Sequence, residues 1–272
     1  MSVPIQSIVD AAELLWPTAG AETWDAPGLI SGSAHQPVSR VLLTVDVTSS
    51  ILDEAIDGAF DMVLSHHPFL MRGVTSLSEQ TSKGYLISRA IRSGVSLFSA
   101  HTNADIVQTG VSDVIARAIG LTGIRPLVES SPGIGHGRIG TLPEEETLGE
   151  LARRIAKVMP STATGIRVSG EFNQLVQTVA LCGGAGDSFI ADAISSGADV
   201  YMSSDLRHHP VQDAREHAVT QGTGPAIIDV SHWASEWLWL EVAASQLAEQ
   251  FPQVQFVVSQ LRTDPWDFVI TQ

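Results

Sequence analysis

The spacing of apolar positions along the chain predicts helices and strands in alternation. Apolar residues recur at helical spacing over residues 5–15 and predict an opening helix. A β-rich run predicts a strand over residues 40–46, and residues 48–59 predict a helix with Thr48 as its N-cap. A second apolar run predicts a strand over residues 61–65. The first part of the chain is therefore expected to form a β-α-β unit.

The same alternation continues to the end of the chain. The first half predicts a helix over 80–92, a strand over 95–99 and a helix over 111–119. The second half predicts alternating strands and helices over residues 176–182, 187–196, 199–203, 210–220, 226–230, 233–249 and 254–259. Such alternation indicates mainly parallel strands covered by helices. The expected fold is α/β, with two similar lobes over residues 1–124 and 125–272.

The segment between the two halves has a different composition. Residues 122–146 are rich in proline and glycine, which predicts a hinge or crossover. The acidic run over residues 144–146 is interpreted as the solvated entry to a helix. Thr147 is followed three residues later by Glu150, a capping-box pattern, and apolar periodicity then continues to Met159. A helix is therefore predicted to begin at this point.

Composition narrows the possible functions. Of 272 residues, 44% are hydrophobic and 17% are charged, which predicts a compact globular protein. The net charge of −15 and the presence of only two lysines argue against general nucleic-acid binding and against anionic membranes as partners. The single cysteine, Cys182, cannot form an intrachain disulfide. No export signal and no bilayer-spanning apolar run is visible in the sequence, so a cytoplasmic protein is expected.

Candidate metal ligands follow the two predicted strands of the first half. His66 and His67 come directly after one strand, and His101 and Asp105 follow the other. Ligand sites in α/β folds collect at the carboxyl ends of parallel strands. Side chains of adjacent residues diverge on a strand, so paired histidines suit two metal ions better than one.

A second group of candidate ligands lies in the second half. His232 and Glu236 are four residues apart at the start of a predicted helix, which places an imidazole and a carboxylate on one helical face. Such a pair can reach one metal ion. The alternative is an ordinary His/Glu surface pair.

Several motifs together resemble those of the NIF-three-like dinuclear metal-centre family, also described as type 2 GTP cyclohydrolase I homologues. The resemblance covers almost the whole chain and rests on WDAPGL from Trp24, SHHP, HTNAD, GVSD, VALCGGAG, residues 205–214 and DVSHWASE. It implies the family's fold in its short form, without a large insertion between the halves. It also implies two metal ions held by His66, His67, Asp105, His232 and Glu236.

Further residues are candidates for substrate handling. Asp205 and His209 belong to a segment that resembles the family's Asp-x-x-x-His pattern, and they are expected at the pocket rim for acid/base work or substrate orientation. His101 is expected to orient a ligand or contact substrate, with occasional metal ligation or structural packing as alternatives. The glycine-rich turn at residues 183–188 is either a tight turn or a place where backbone amides approach a phosphate.

The donor set favours metal-dependent hydrolysis. Imidazole and carboxylate ligands suit two divalent ions such as Zn, Fe, Mn, Co or Ni, and their residual positive charge suits an anionic substrate. We therefore expect a hydrolase acting on a phosphorylated or nucleotide-like small molecule. The resemblance suggests GTP cyclohydrolase I chemistry, in which the purine imidazole ring opens with formate release, as one candidate. The alternative is a non-catalytic metal-handling or protein-interaction protein. The resemblance also implies a ring-shaped homohexamer.

Overall fold

A computed structural model of the chain describes residues 2–271, which form two compact units. Unit 1 holds the described residues up to Ala104 together with Leu240–Thr263, and unit 2 holds Asp105–Trp239 together with the residues from Asp264 onward. The helices are α1 Ile5–Leu15, α2 Ser49–Asp57, α3 Ser82–Arg92, α4 Thr102–Asp105, α5 Val111–Ala118, α6 Leu148–Val158, α7 Ile190–Ser195, α8 His208–Gln221 and α9 His232–Gln250. The strands are β1 Val3–Pro4, β2 Gly28–Ser31, β3 Pro37–Val38, β4 Arg40–Thr44, β5 Met62–Ser65, β6 Ser96–Ser99, β7 Thr122–Arg125, β8 Val128–Ser131, β9 Ile134–His136, β10 Arg138–Thr147, β11 Arg167–Ser169, β12 Leu175–Ala185, β13 Val200–Ser204, β14 Ala226–Val230 and β15 Gln255–Val258. Among residues 2–271, no helix has the length and apolar character that a membrane span requires.

Unit 1 is built on a five-stranded sheet in the order β15-β4-β5-β6-β2. The first four of these strands are parallel to one another, and β2 pairs antiparallel with β6 at the edge. Every residue of β5 and β6 is buried, as expected for short apolar strands covered on both faces. Leu42, Ile51 and Leu86, from β4, α2 and α3, lie in one apolar core. The predicted N-cap Thr48 is confirmed, because its hydroxyl accepts a hydrogen bond from the Ile51 amide at 3.3 Å.

Unit 2 is built on a six-stranded sheet in the order β11-β14-β13-β12-β10-β7. The three central strands β12, β13 and β14 are parallel, whereas β11, β10 and β7 run antiparallel to their neighbours. The apolar core of this unit includes Ala180, Tyr201 and Ile227 of the central strands. The predicted capping box of α6 is confirmed, because Thr147 and Glu150 each accept a hydrogen bond from the other's backbone amide.

The α/β class is confirmed, and the sheets are mixed. The prediction of a hinge or crossover over residues 122–146 is wrong, because the segment contains β7, β8, β9 and most of β10. The acidic run over residues 144–146 accordingly lies in a strand and not in a helix entry. Proline is tolerated in β10 because the pairing of β10 with β12 shifts register between Thr141 and Glu146, on either side of Pro143.

The compact units divide the chain differently from the predicted lobes 1–124 and 125–272. The division falls between Ala104 and Asp105, because α5 packs against β10 and β12, and β7 pairs with β10. The segment Leu240–Thr263 belongs to unit 1, where β15 pairs with β4. Sheet pairing therefore decides which unit each segment joins.

Candidate functional site

Three imidazoles converge at the carboxyl ends of neighbouring strands in unit 1. His66 and His67 follow β5, and His101 follows β6, whose last residue is paired in parallel register with the last residue of β5. The three ring centroids are 5.2 to 5.3 Å apart. One nitrogen from each ring lies within 4.8 Å of the others, an arrangement that is able to hold a metal ion. His66 and His101 are buried, and His67 is half-buried. The structure thus places His101 beside the two predicted ligands as a third donor.

The orientation of each ring is fixed through its Nδ1 atom. The Nδ1 atom of His66 lies 2.9 Å from the carbonyl oxygen of Ala100, which can only accept a hydrogen bond. The corresponding atoms of His67 and His101 lie 2.7 Å and 2.8 Å from carboxylate oxygens of Asp46 and Asp25. A proton on Nδ1 leaves the lone pair of the neutral imidazole on Nε2, which is the form that ligates metals.

The two carboxylates that orient the rings are themselves held in place. Asp46 accepts a hydrogen bond from the Thr263 hydroxyl at 2.7 Å, and Asp25 accepts one from the Thr102 amide at 3.0 Å. Burial raises the pKa of Asp25, but hydrogen bonds from His101 and Thr102 outweigh it and hold the pKa well below its usual range. Asp25 therefore stays ionised at neutral pH as an acceptor for His101.

Sequence analysis did not identify Asp25 or Asp46 as functional residues. Asp25 lies 76 positions before His101, and Asp46 lies 21 positions before His67, so no local spacing connects the partners. The available signals were indirect. Asp25 belongs to the WDAPGL motif, and Asp46 closes the predicted strand over residues 40–46.

Unit 2 carries an imidazole between two carboxylates. His232 and Glu236 lie on the first turns of α9 with the predicted spacing, and the His232 Nε2 atom is 2.9 Å from the Glu236 Oε1 atom. The His232 Nδ1 atom is 2.8 Å from the Asp205 Oδ2 atom. Asp205 follows β13 with a left-handed φ of 53°, a conformation that Asp adopts more readily than most residues. The structure therefore joins Asp205, predicted at the pocket rim, directly to the predicted ligand pair.

The electrostatic environment of His232 favours positive charge. Burial lowers the pKa of the imidazole, but the adjacent Glu236 and Asp205 carboxylates outweigh it and raise the pKa to about 11. Glu236 is buried. Two carboxylates beside one imidazole are chemically suited to a cation.

The glycine-rich end of β12 is shaped by its approach to Glu236. Gly184 has a φ of 68°, and a Cβ atom at this position would lie 2.6 Å from the Glu236 Oε1 atom. The Gly183 and Gly184 amides donate to the hydroxyls of Ser112 and Ser235 at 3.1 Å and 3.0 Å. Because these amides bond within the protein, they do not form a phosphate cradle. The two glycines lie within β12, where its pairing with β13 shifts register between Leu181 and Ala185, so the structure shows a strand irregularity at these residues and not the predicted tight turn.

Asp105 and His209 are the remaining candidates from the sequence, and both lie in unit 2. Asp105 is the half-buried last residue of α4 and the first residue of unit 2. The buried Arg138 donates to the next backbone carbonyl, that of Ile106, at 3.1 Å. Burial, together with the charges of Asp105 and Glu236, raises the pKa of the Cys182 thiol to about 12. Cys182 is therefore a protonated, buried side chain.

His209 is exposed in the first turn of α8, where its ring lies 5.3 Å from the ring of His208.

The donor chemistry in both units fits a divalent metal ion. Unit 1 supplies imidazoles whose Nδ1 atoms are already hydrogen-bonded, and unit 2 supplies an imidazole with carboxylates. Nitrogen and oxygen donors of this kind suit Zn, Fe, Mn, Co and Ni, and they do not select one of these metals. These features define an α/β protein with candidate metal-binding residues at the ends of its strands.

Comparison with known proteins assigns the family. Residues 3–265 match the Duf34/NIF3 (NGG1p interacting factor 3) family model, and the chain belongs to this family. It is 41% identical over 270 residues to a GTP cyclohydrolase 1 type 2 homolog of Streptomyces coelicolor, covering 96% of this chain and 93% of the relative. It is 30% identical over 270 residues to a homolog of the same name from Clostridium perfringens, covering 97% of this chain and 99% of that protein.

Solved structures show the same fold. A Bacillus cereus protein related to NIF3 superposes with a TM-score of 0.89 at 24% identity, covering 98% of this chain and 99% of that one. A hypothetical protein of Staphylococcus aureus superposes with a TM-score of 0.88 at 26% identity and the same coverage. The NIF3-like fold expected from the motifs is thereby confirmed.

Proposed function

We propose that the protein is a metal-dependent hydrolase that acts on a nucleotide-like or phosphorylated small molecule. In this proposal His66, His67, Asp105, His232 and Glu236 hold two divalent metal ions. When bound, such ions polarise a carbonyl or phosphoryl oxygen and activate water for attack.

One observation carries the proposal most strongly. The three imidazoles of unit 1 each have Nδ1 hydrogen-bonded to an oxygen acceptor, so each ring is held in the tautomer that ligates through Nε2. Structural histidines at a strand end do not need this common orientation. The orientation therefore supports metal ligation by His66 and His67, and it adds His101 as a further candidate ligand.

The remaining residues have roles that follow from their contacts. Asp25 and Asp46 orient imidazoles, and Gly184 leaves room for the Glu236 carboxylate. Asp205 holds the His232 ring and is exposed, so it is accessible to a substrate. We propose that Asp205, and His209 from the first turn of α8, orient the substrate or exchange protons with it.

The substrate class is inferred from two sources. Three neutral imidazoles and two carboxylates around two divalent ions leave a net positive charge, which favours an anionic substrate. The Streptomyces coelicolor relative is named a GTP cyclohydrolase 1 type 2 homolog, which supports nucleotides as the first compounds to test. Opening of a purine imidazole ring with formate release is one candidate reaction within this class.

The test compares Glu236→Gln with the parent protein in a hydrolysis screen over nucleotides and phosphodiesters. The amide keeps the side-chain shape but removes the charge and one good metal-binding oxygen. Turnover should fall about 10²-fold if this carboxylate supports about 3 kcal/mol of transition-state stabilisation. Glu241→Gln, at an exposed position of the same helix, is the matched control and should leave turnover unchanged.

Two outcomes would contradict the proposal. If Glu236→Gln binds metal and turns over substrate as the parent does, Glu236 has no catalytic role. If no compound is hydrolysed while bound metal passes rapidly to an acceptor protein, metal handling replaces hydrolysis as the function.

A further inference from the structure

A cavity of about 320 Å³ in unit 2 is lined by an unusual concentration of positive charge. It lies between the edge strand β11 and the first turns of α8, and its cationic lining is Arg167, Arg207 and Arg215, with His208 beside them. The whole chain has a net charge of −15 and only fifteen lysines and arginines. The lining contains three arginines and one carboxylate, Asp229, so it is a local exception to the charge of the molecule.

The arginines retain hydrogen-bond donors for a ligand. The Nε and Nη2 atoms of Arg167 donate to Asp229, and the Nε atom of Arg207 donates to Asp187. Arg215 has no acidic partner within 4 Å among residues 2–271. Each guanidinium carries five N–H donors, so the three side chains together have more donors than these bonds use. The spare donors suit an anion with several acceptor oxygens, such as a phosphate.

The wall of the cavity is fixed before a ligand arrives. Asp229 of β14 accepts from Arg167 through Oδ2 and from the Leu206 amide through Oδ1 at 3.0 Å. One carboxylate therefore holds both an arginine of β11 and the turn that leads to Arg207. Preorganisation of this kind reduces the entropy lost on binding.

Apolar side chains complete the lining. Val168, Leu206, Val211 and Ile227 share the cavity with the arginines. Ligand pockets commonly combine an apolar lining with a few polar groups that fix orientation, and their volumes begin at roughly 300 Å³. The size and the mixed lining suit a small molecule that has an anionic group and an apolar body.

We propose that this cavity binds a small phosphate monoester, with its phosphate on Arg207 and Arg215 and its body against the apolar lining. None of the predicted metal ligands lines the cavity. The site is therefore additional to the proposed metal-dependent function and does not depend on it.

The test is calorimetric titration of the full-length protein, as purified, with phenyl phosphate, inorganic phosphate and phenol at low ionic strength. Phenyl phosphate should bind saturably and more tightly than inorganic phosphate, and phenol should not bind detectably. Binding should persist after metal removal with a chelator, since no predicted metal ligand takes part. Persistence separates this site from phosphate binding to metal.

Two variants locate the site. Arg207→Gln and Arg215→Gln should each weaken phenyl phosphate binding about tenfold, the effect of losing one charged hydrogen-bonding partner. Both positions are exposed, so the far-UV spectrum and the unfolding midpoint should not change. Arg92→Gln is the matched control, because Arg92 is an exposed, ion-paired arginine of unit 1, and it should leave the affinity unchanged.

Three results would overturn the proposal. The first is absence of saturable phenyl phosphate binding by the parent protein. The second is equal weakening by Arg92→Gln, which would indicate a general charge effect. The third is loss of self-association in Arg215→Gln without loss of phosphate binding, which would show that the arginines receive acidic side chains of a second copy of the chain.

Discussion

At the residue scale, metal binding should depend on the carboxylates that orient the imidazoles as well as on the imidazoles themselves. Asp46→Asn keeps the shape of the side chain, but the amide can also donate to Nδ1 and so stabilise the other tautomer of His67. We expect metal affinity to fall at least about tenfold, the usual cost of losing such a partner. Titration with zinc against a chromogenic competitor measures this affinity.

Asp61→Asn is the control for Asp46→Asn. Asp61 is also a carboxylate of unit 1, but it accepts hydrogen bonds from the Ser39 and Arg40 amides at 2.7 Å and 3.0 Å. Its substitution should lower stability and leave zinc affinity unchanged. Equal loss of affinity in both variants would show that fold stability, and not imidazole orientation, controls metal binding.

Gly184 offers a second test at this scale. Gly184→Ala should displace the Glu236 carboxylate, because the new Cβ would lie 2.6 Å from Oε1, and it should lower both stability and metal affinity. Gly197→Ala carries the same backbone strain, since its φ is 71°, but its Cβ would meet no atom within 4 Å. Gly197→Ala should cost about 1 kcal/mol of stability and leave metal affinity unchanged. Equal metal affinity in the two variants would contradict the packing of Gly184 against Glu236.

At the element scale, the capping box of α6 gives a prediction that is independent of the metal. Thr147→Ala removes the hydroxyl that accepts from the Glu150 amide at 3.2 Å. We expect the free energy of unfolding to fall by about 1 kcal/mol, measured by urea denaturation, with Thr147→Ser close to the parent. An unchanged unfolding midpoint in Thr147→Ala would show that the cap contributes nothing to stability.

The central elements of both sheets were predictable because their apolar patterns are strong. The strands β5, β13 and β14 lie within one residue of their predicted positions, since each is a short apolar run bounded by polar or turn residues. The strands β7, β8 and β9 were missed, because most of their residues are exposed or half-buried and carry no apolar alternation. The strand β10 was missed as well, because it contains a proline, which a regular strand rarely accommodates. Its register shift, which makes the proline tolerable, is a property of the pairing with β12 and not of the local sequence.

The candidate site was predictable only in part for a similar reason. His232 and Glu236 are four residues apart in one helix, so local geometry was enough to pair them. The pairing of His232 with Asp205 spans 27 positions and depends on a left-handed residue at the end of β13. Such contacts follow from strand order, which the sequence pattern did not specify.

At the scale of the whole molecule, family resemblance predicts a ring-shaped homohexamer. Light scattering at micromolar concentration should then give a mass about six times the 28.9 kDa of one chain. Because each chain carries a net charge of −15, lower ionic strength should weaken the assembly. A monomeric mass at moderate salt would contradict the prediction.

The central claim, that the protein holds a pair of divalent metal ions, is tested most directly by elemental analysis. The protein should be purified without chelator and without nickel affinity resin, dialysed, and measured beside a His66→Ala, Glu236→Gln double variant. We predict two transition-metal ions per chain in the parent and a clear loss in the variant, because each substitution removes a ligand. Absence of stoichiometric metal from the parent, or an unchanged metal content in the double variant, would contradict the account.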